Sequence, residues 1–355
     1  MIPKGADAPR YEWRGVMLDV ARHFFGVDDV KRFIDVIARY GLNRLHLHLT
    51  DDQGWRIEIE AWPRLAHVGG STSVGGGTGG WYTQDEYAQL VAFAAERGVV
   101  VVPEIDFPGH VNAALVAYPE LAPAGYSPTP YTGTDVGFSS LDVRNERTYE
   151  FVEDVVREVA ALTPGPFFHI GGDEAAATTA TDYVHFVERT SAIVQRHGKR
   201  TVGWEEIARA KLPPGTIVQH WKDPELVARA VEQGASVVMS PASKAYLDLK
   251  YDESTELGTT WAGYVSVRDA YDWDPGEALG VEAALWSETL TTLAEVEFMA
   301  FPRLLALAEV ASAPVAERDW EDFRTRLAEH EPSLMALGVS FFRSPEVPWS
   351  DGTPS

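Results

Sequence analysis

A single-domain α/β fold, a (β/α)8 TIM barrel, is what this sequence predicts, and three observations carry the prediction. Eight short apolar runs are separated mostly by amphipathic helical stretches, over about 300 residues, the size of such a barrel with some enlarged loops. Polar and aromatic residues recur just after nearly every run, as a ring of loops around one mouth requires. No Gly-x-Gly-x-x-Gly follows the first run, which argues against a doubly wound dinucleotide-binding sheet. Nothing resembling a linker, repeat or composition break divides the chain, so residues 11–340 are expected to form the barrel. Residues 1–10 then read as an N-terminal tail and 341–355 as a C-terminal tail.

The first strand is expected over 15–20, and a helix over 27–40 carries Val30, Phe33, Ile34 and Ile37 on one face. A strand over 43–49 follows, then a helix over 83–97 and a strand over 99–105. The next unit is a helix over 146–162, a strand over 167–170 and a helix over 183–197. Four further strands are expected over 201–204, 216–221, 236–239 and 281–286. Between the second strand and its helix, residues 69–80 are rich in glycine. They lack the Lys-Ser/Thr of a phosphate loop and read as a flexible loop near the mouth.

Composition narrows the function. At 355 residues and 45% hydrophobic content the chain can bury a large core. Thirty Lys and Arg against 53 Asp and Glu, a net charge of −23, argue against nucleic acid or an anionic membrane as partner. A neutral ligand fits better, and 11 Trp, 13 Tyr and 15 Phe supply faces suited to a sugar ring. The absence of cysteine removes disulfides, thiolate metal sites and a cysteine nucleophile. Residues 1–10 hold no apolar leader and no stretch is long enough to span a bilayer, so the chain reads as soluble: cytoplasmic, or secreted if a leader has been trimmed.

The fourth run empties into Gly171-Gly172-Asp173-Glu174. Neighbouring side chains on a regular strand point to opposite faces, so two adjacent carboxylates share a pocket only where the chain bends, and the glycines permit that bend. Close carboxylates resist ionising together, which holds one protonated as a general acid. The competing reading makes Asp173 the N-cap of a helix starting near Ala175. Other strand ends add Arg22; Asp51 and Asp52; Asp106 and His110; Trp204, Glu205 and Glu206; Trp221; Tyr246 and Asp248; Trp261; and Trp286 with Glu288. Each alone suits an ion pair or a packing role; their recurrence at one end points to a site.

The string His46-Leu47-His48-Leu49-Thr50-Asp51-Asp52-Gln53-Gly54-Trp55-Arg56, with His169-Ile170-Gly171-Gly172-Asp173-Glu174, resembles the β-N-acetylhexosaminidases of glycoside hydrolase family 20. Residues 14–22 and 103–110 resemble the same family. The resemblance implies a (β/α)8 catalytic barrel and an exo-acting enzyme that needs no cofactor. Its partner would be a neutral amino-sugar oligosaccharide. It also implies substrate-assisted retention, in which the 2-acetamido carbonyl attacks C1 to give an oxazolinium ion, an exception to the two-carboxylate scheme. Glu174 would then be the general acid and base, Asp173 would hold the acetamido N–H, and Tyr246 its oxygen. Trp204, Trp221 and Trp286 would wall in the acetyl group and sugar face; Arg22, Glu288 and Asp248 would bind the far hydroxyls, and Trp261 would sit at the mouth. Asp51 and His110 would form a relay that tunes Glu174. Many members carry an α/β domain ahead of the barrel, where this chain has about ten residues before its first strand.

Two other functions compete. His46 and His48 fall on one face of their strand, an arrangement that metal-dependent hydrolase barrels use for ligation. A catalytically dead barrel could also use the aromatic walls to bind an N-acetylhexosamine. Glu174 discriminates against the latter, since a pure binder has no use for a proton-donating carboxyl group.

Overall fold

The computed structural model describes residues 3–5 and 7–350. Eight strands, β1 (Trp13–Asp19), β2 (Arg44–His48), β3 (Val100–Glu104), β4 (Phe167–His169), β5 (Arg200–Trp204), β6 (Ile217–His220), β7 (Ser236–Met239) and β8 (Gly280–Leu285), pair in parallel in chain order. β8 pairs with β1 to close the barrel. Parallel neighbours need crossover connections, and alternating runs and helices in the sequence supply them.

Helices Val27–Arg39, Gln84–Ala95, Glu146–Leu162 and Ala180–Arg196 stand within three residues of their expected bounds. Each has a polar face and a buried apolar stripe, the pattern that periodicity detects. The second half holds helices that carry less of that signal. Arg303–Ser312 is buried on every side, so its sequence has no polar stripe to reveal the period. Pro224–Glu232 opens on an Asp223 cap whose Oδ1 accepts the Glu225 N–H at 2.9 Å, a start signal readable in the sequence.

Inside the barrel, Trp13, Val102, Phe167, Val202, Ile217 and Val238 form an apolar plug. Next to it lies a polar layer. Glu104 accepts hydrogen bonds from His46 Nε2 and Trp204 Nε1, both at 2.9 Å. Glu282 accepts from His46 Nδ1 at 2.8 Å, Gln219 Nε2 at 3.0 Å and Trp13 Nε1 at 2.6 Å. Burial opposes a charge on His46, yet Glu104 and Glu282 outweigh it and lift its pKa to about 9. Buried charges persist only when paired in this way.

Residues 341–350, read from sequence as a tail, lie against the barrel. Phe342 stacks on Tyr251 with ring centroids 4.2 Å apart, and Val347 is buried. Among the described residues no helix is long and apolar enough to cross a membrane.

Candidate active site

The bend expected after β4 is present. Gly171, Gly172 and Glu174 take φ values of 66°, 100° and 47°. His169 Nδ1 accepts the Gly171 N–H, and Asp106 Oδ1 accepts the Gly172 N–H, each at 3.0 Å. The turn aims both acidic side chains at one imidazole: His110 Nε2 stands 3.6 Å from Asp173 Oδ2 and 3.8 Å from Glu174 Oε2. The helix-cap reading of Asp173 fails, because the next helix begins at Ala180 and Thr179 caps it. A Cβ at Gly171 would meet Asp106 Oδ1 at 1.8 Å, and an alanine there would also sit in the left-handed region. Gly171→Ala is therefore expected to lower stability by about 2–5 kcal/mol, seen as a lower denaturation midpoint.

Behind the pair, His110 Nδ1 lies 3.2 Å from Asp51 Oδ1. Asp51 Oδ2 accepts from His48 Nε2 at 2.8 Å and faces the Arg22 guanidinium at 2.9 Å. Burial disfavours a charged His110, but the Asp51 and Asp173 carboxylates prevail and raise its pKa well above the ordinary value. Asp51 is likewise held well below the usual carboxylate range, Arg22 and His110 outweighing burial. Glu174 moves the other way: burial and then the neighbouring Asp173 raise its pKa, which favours the protonated acid.

A cavity of about 450 Å³ opens over these groups. Of the residues expected at the site, Arg22, Asp173, Glu174 and Glu288 supply its polar lining. Trp221, Tyr246, Trp261 and Trp286 supply the aromatic walls. Trp221 and Tyr246 run parallel within 10°, with Trp261 edge-on to both. Trp204 and Asp248 stand behind this lining. Trp204 is 1% exposed, 5.8 Å from Trp286 and tied to Glu104. Asp248 is 2% exposed, and burial, then Glu288, raise its pKa. Asp173 Oδ1 is buried and has no hydrogen-bond partner among the described residues.

Each ring nitrogen of His46 and His48, the pair considered for metal, meets a carboxylate oxygen. His48 directs Nδ1 to Glu104 and Nε2 to Asp51, and His46 directs its two nitrogens to Glu282 and Glu104. Carboxylate-bound on both sides, these rings serve as donors within the polar layer.

Three lining residues escaped the sequence reading: Thr134, Val136 and Lys222. Thr134 and Val136 belong to a stretch without helix or strand, where no periodicity exists to read. Lys222 directly follows Trp221, so the aromatic signal pointed at its neighbour. The glycine-rich segment, read as flexible, is pinned: Arg56 donates to the carbonyls of Gly70, Thr72 and Gly80. Its Gly75 N–H binds the Thr132 carbonyl at 2.8 Å, so it backs the stretch that lines the cavity.

A closed parallel barrel with an acidic pair, an imidazole behind it and an aromatic sugar-sized pocket at its carboxyl end defines a glycoside hydrolase. The model of the glycosyl hydrolase family 20 catalytic domain matches residues 11–183 and 178–314. A β-N-acetylhexosaminidase from Cellulomonas fimi is 49% identical over 97% of this chain and 72% of its own length. The family 20 β-N-acetylhexosaminidase of Streptomyces coelicolor A3(2) superposes with a TM-score of 0.93 at 50% identity, over 96% of this chain and 72% of that one. A mutant Streptomyces plicatus β-hexosaminidase in complex with the product GlcNAc superposes with a TM-score of 0.93 at 53% identity, again over 96% and 72%. The chain belongs to glycosyl hydrolase family 20.

Proposed function

We propose that this β-N-acetylhexosaminidase removes terminal, non-reducing β-linked N-acetylglucosamine or N-acetylgalactosamine with Glu174 as acid and base and Asp173 as partner of the 2-acetamido group. The observation that carries the reading is Asp173 Oδ1, a buried carboxylate oxygen without a donor in a pocket walled by aromatic rings. A buried acceptor left unpaired is costly, and the acetamido N–H of a bound sugar would satisfy it.

In the first half-reaction the acetamido carbonyl oxygen bonds to C1 as the C1–O bond breaks, and the Glu174 proton passes to the leaving oxygen. Positive charge then spreads over the oxazolinium ring, where Asp173 stabilises it; such a term grows toward the transition state and so accelerates the step. In the second half Glu174 takes a proton from water as water bonds to C1 and the ring reopens, so configuration is retained. Trp221 and Trp286 exclude competing water, and Tyr246 holds the acetamido oxygen. Arg22 and Glu288 take the far hydroxyls, with Asp248 behind them, which leaves no room for another sugar on that side and makes the action exo. Trp204 supports Trp286 from below, Trp261 edges the mouth, and the Asp51–His110 pair sets the proton affinity of Glu174.

Paired chromogenic β-glycosides test the participation of the acetamido group. The 2-acetamido substrate is expected to be cleaved at least about 10³-fold faster than its 2-hydroxyl counterpart, as fits an intramolecular nucleophile with high effective molarity. Comparable rates on the two, or a trapped glycosyl ester on the enzyme, would reject it.

A further inference from the structure

A second cavity of about 310 Å³ adjoins the sugar pocket, and Glu174 and Lys222 line both. The acid must stand between glycone and leaving group, because it protonates the oxygen that joins them. The far hydroxyls are taken up by Arg22 and Glu288, which line only the first cavity. The second cavity borders the acid without reaching either of those residues.

Its chemistry is unusual for a chain with a net charge of −23. Two cations line it, Lys222 and Arg209. Lys222 Nζ sits 3.6 Å above the Trp221 ring and 3.8 Å from Glu206 Oε1. Arg209 forms no ion pair among the described residues; its guanidinium stands 6.0 Å from the Tyr183 ring. Glu206 is the one further acid in the wall, and its Oε2 accepts the Trp221 Nε1–H at 3.1 Å. The charges around Glu206 are Asp173, Glu205 and Lys222; burial, then Asp173, raise its pKa to about 7. Below that value Glu206 no longer cancels the two cations.

We propose that this cavity is a leaving-group subsite that favours an anionic sugar, whose carboxylate or sulfate is held by Lys222 and Arg209. The assignment rests on the hexosaminidase reading above and adds the chemistry of the group released.

Three disaccharides test it: N-acetylglucosamine β-1,4-linked to glucose, to glucuronic acid and to glucose 6-sulfate, assayed at pH 5.5 and low salt. The expected kcat/KM for at least one acidic disaccharide is about fivefold above the neutral one, the scale of one exposed ion pair. That ratio falls toward one in Arg209→Ala and in Lys222→Ala, and toward one in high salt for the unaltered enzyme. Taking the ratio within each variant removes any effect of Lys222 on Glu174 itself. The acid with the larger ratio tells whether carboxylate or sulfate is preferred. Equal kcat/KM for all three in the unaltered enzyme, or an acidic preference that survives both substitutions, overturns the assignment. Cleavage of none of the three would defeat the hexosaminidase reading beneath it.

Discussion

Glu174→Gln lowers turnover of a disaccharide substrate by about 10²–10⁴-fold, the range a positioned general acid supplies, with little change in sugar affinity. Glutamine keeps the shape and a hydrogen-bond acceptor but has no transferable proton. The loss should shrink for an aryl glycoside whose leaving oxygen needs no protonation, because only proton donation has been removed from the first half-reaction. The pH profile supplies a second signature. Burial and Asp173 raise the Glu174 pKa, so the enzyme loses rate as pH climbs through that value and the acid deprotonates. In Glu174→Gln that alkaline limb should vanish. A barrel that merely binds the sugar would show no turnover before the substitution, and full activity after it would mean another residue donates the proton.

Much of this site was legible because a (β/α)8 barrel converts position in sequence into position in space. A residue just past a strand lands at one mouth, so Arg22, Asp173, Trp221 and Glu288 could be gathered from four separate strand ends before any geometry was known. What resisted reading was whatever depends on contacts rather than order. Trp204 and Asp248 follow the same rule but stand behind the lining, a distinction that burial makes and spacing does not. Lys222, Thr134 and Val136 reach the cavity from loops, where neither period nor cap marks them. His46 and His48 have the alternation of ligands, yet the carboxylates that occupy their nitrogens come from β3, β8 and the loop after β2. No local pattern announces such partners. Arg56 shows the converse. It belongs to the most recognisable motif in the chain, and its guanidinium donates its hydrogen bonds among the described residues to backbone carbonyls, holding the glycine-rich loop in place.

Asp173→Asn is expected to cost at least about 10²-fold in kcat on disaccharide and aryl substrates alike. The uniformity separates it from the loss of the acid: an easier leaving group does nothing for a ring cation that has lost its counter-charge. Asparagine can still accept the acetamido N–H through its amide oxygen, so ground-state affinity should fall less than rate, the mark of an interaction that strengthens in the transition state. The same substitution also acts on its neighbours. Asp173 is the charge that, after burial, raises the Glu174 pKa, and its removal should move the alkaline limb of the pH profile to lower pH. His110 loses one of the carboxylates that sustain its proton and keeps Asp51 at 3.2 Å, so the imidazole remains able to pull the Glu174 pKa down. A kcat within about threefold of the parent would reduce Asp173 to a structural ion pair, and a limb displaced to higher pH would show that the two carboxylates do not share the electrostatics of one pocket.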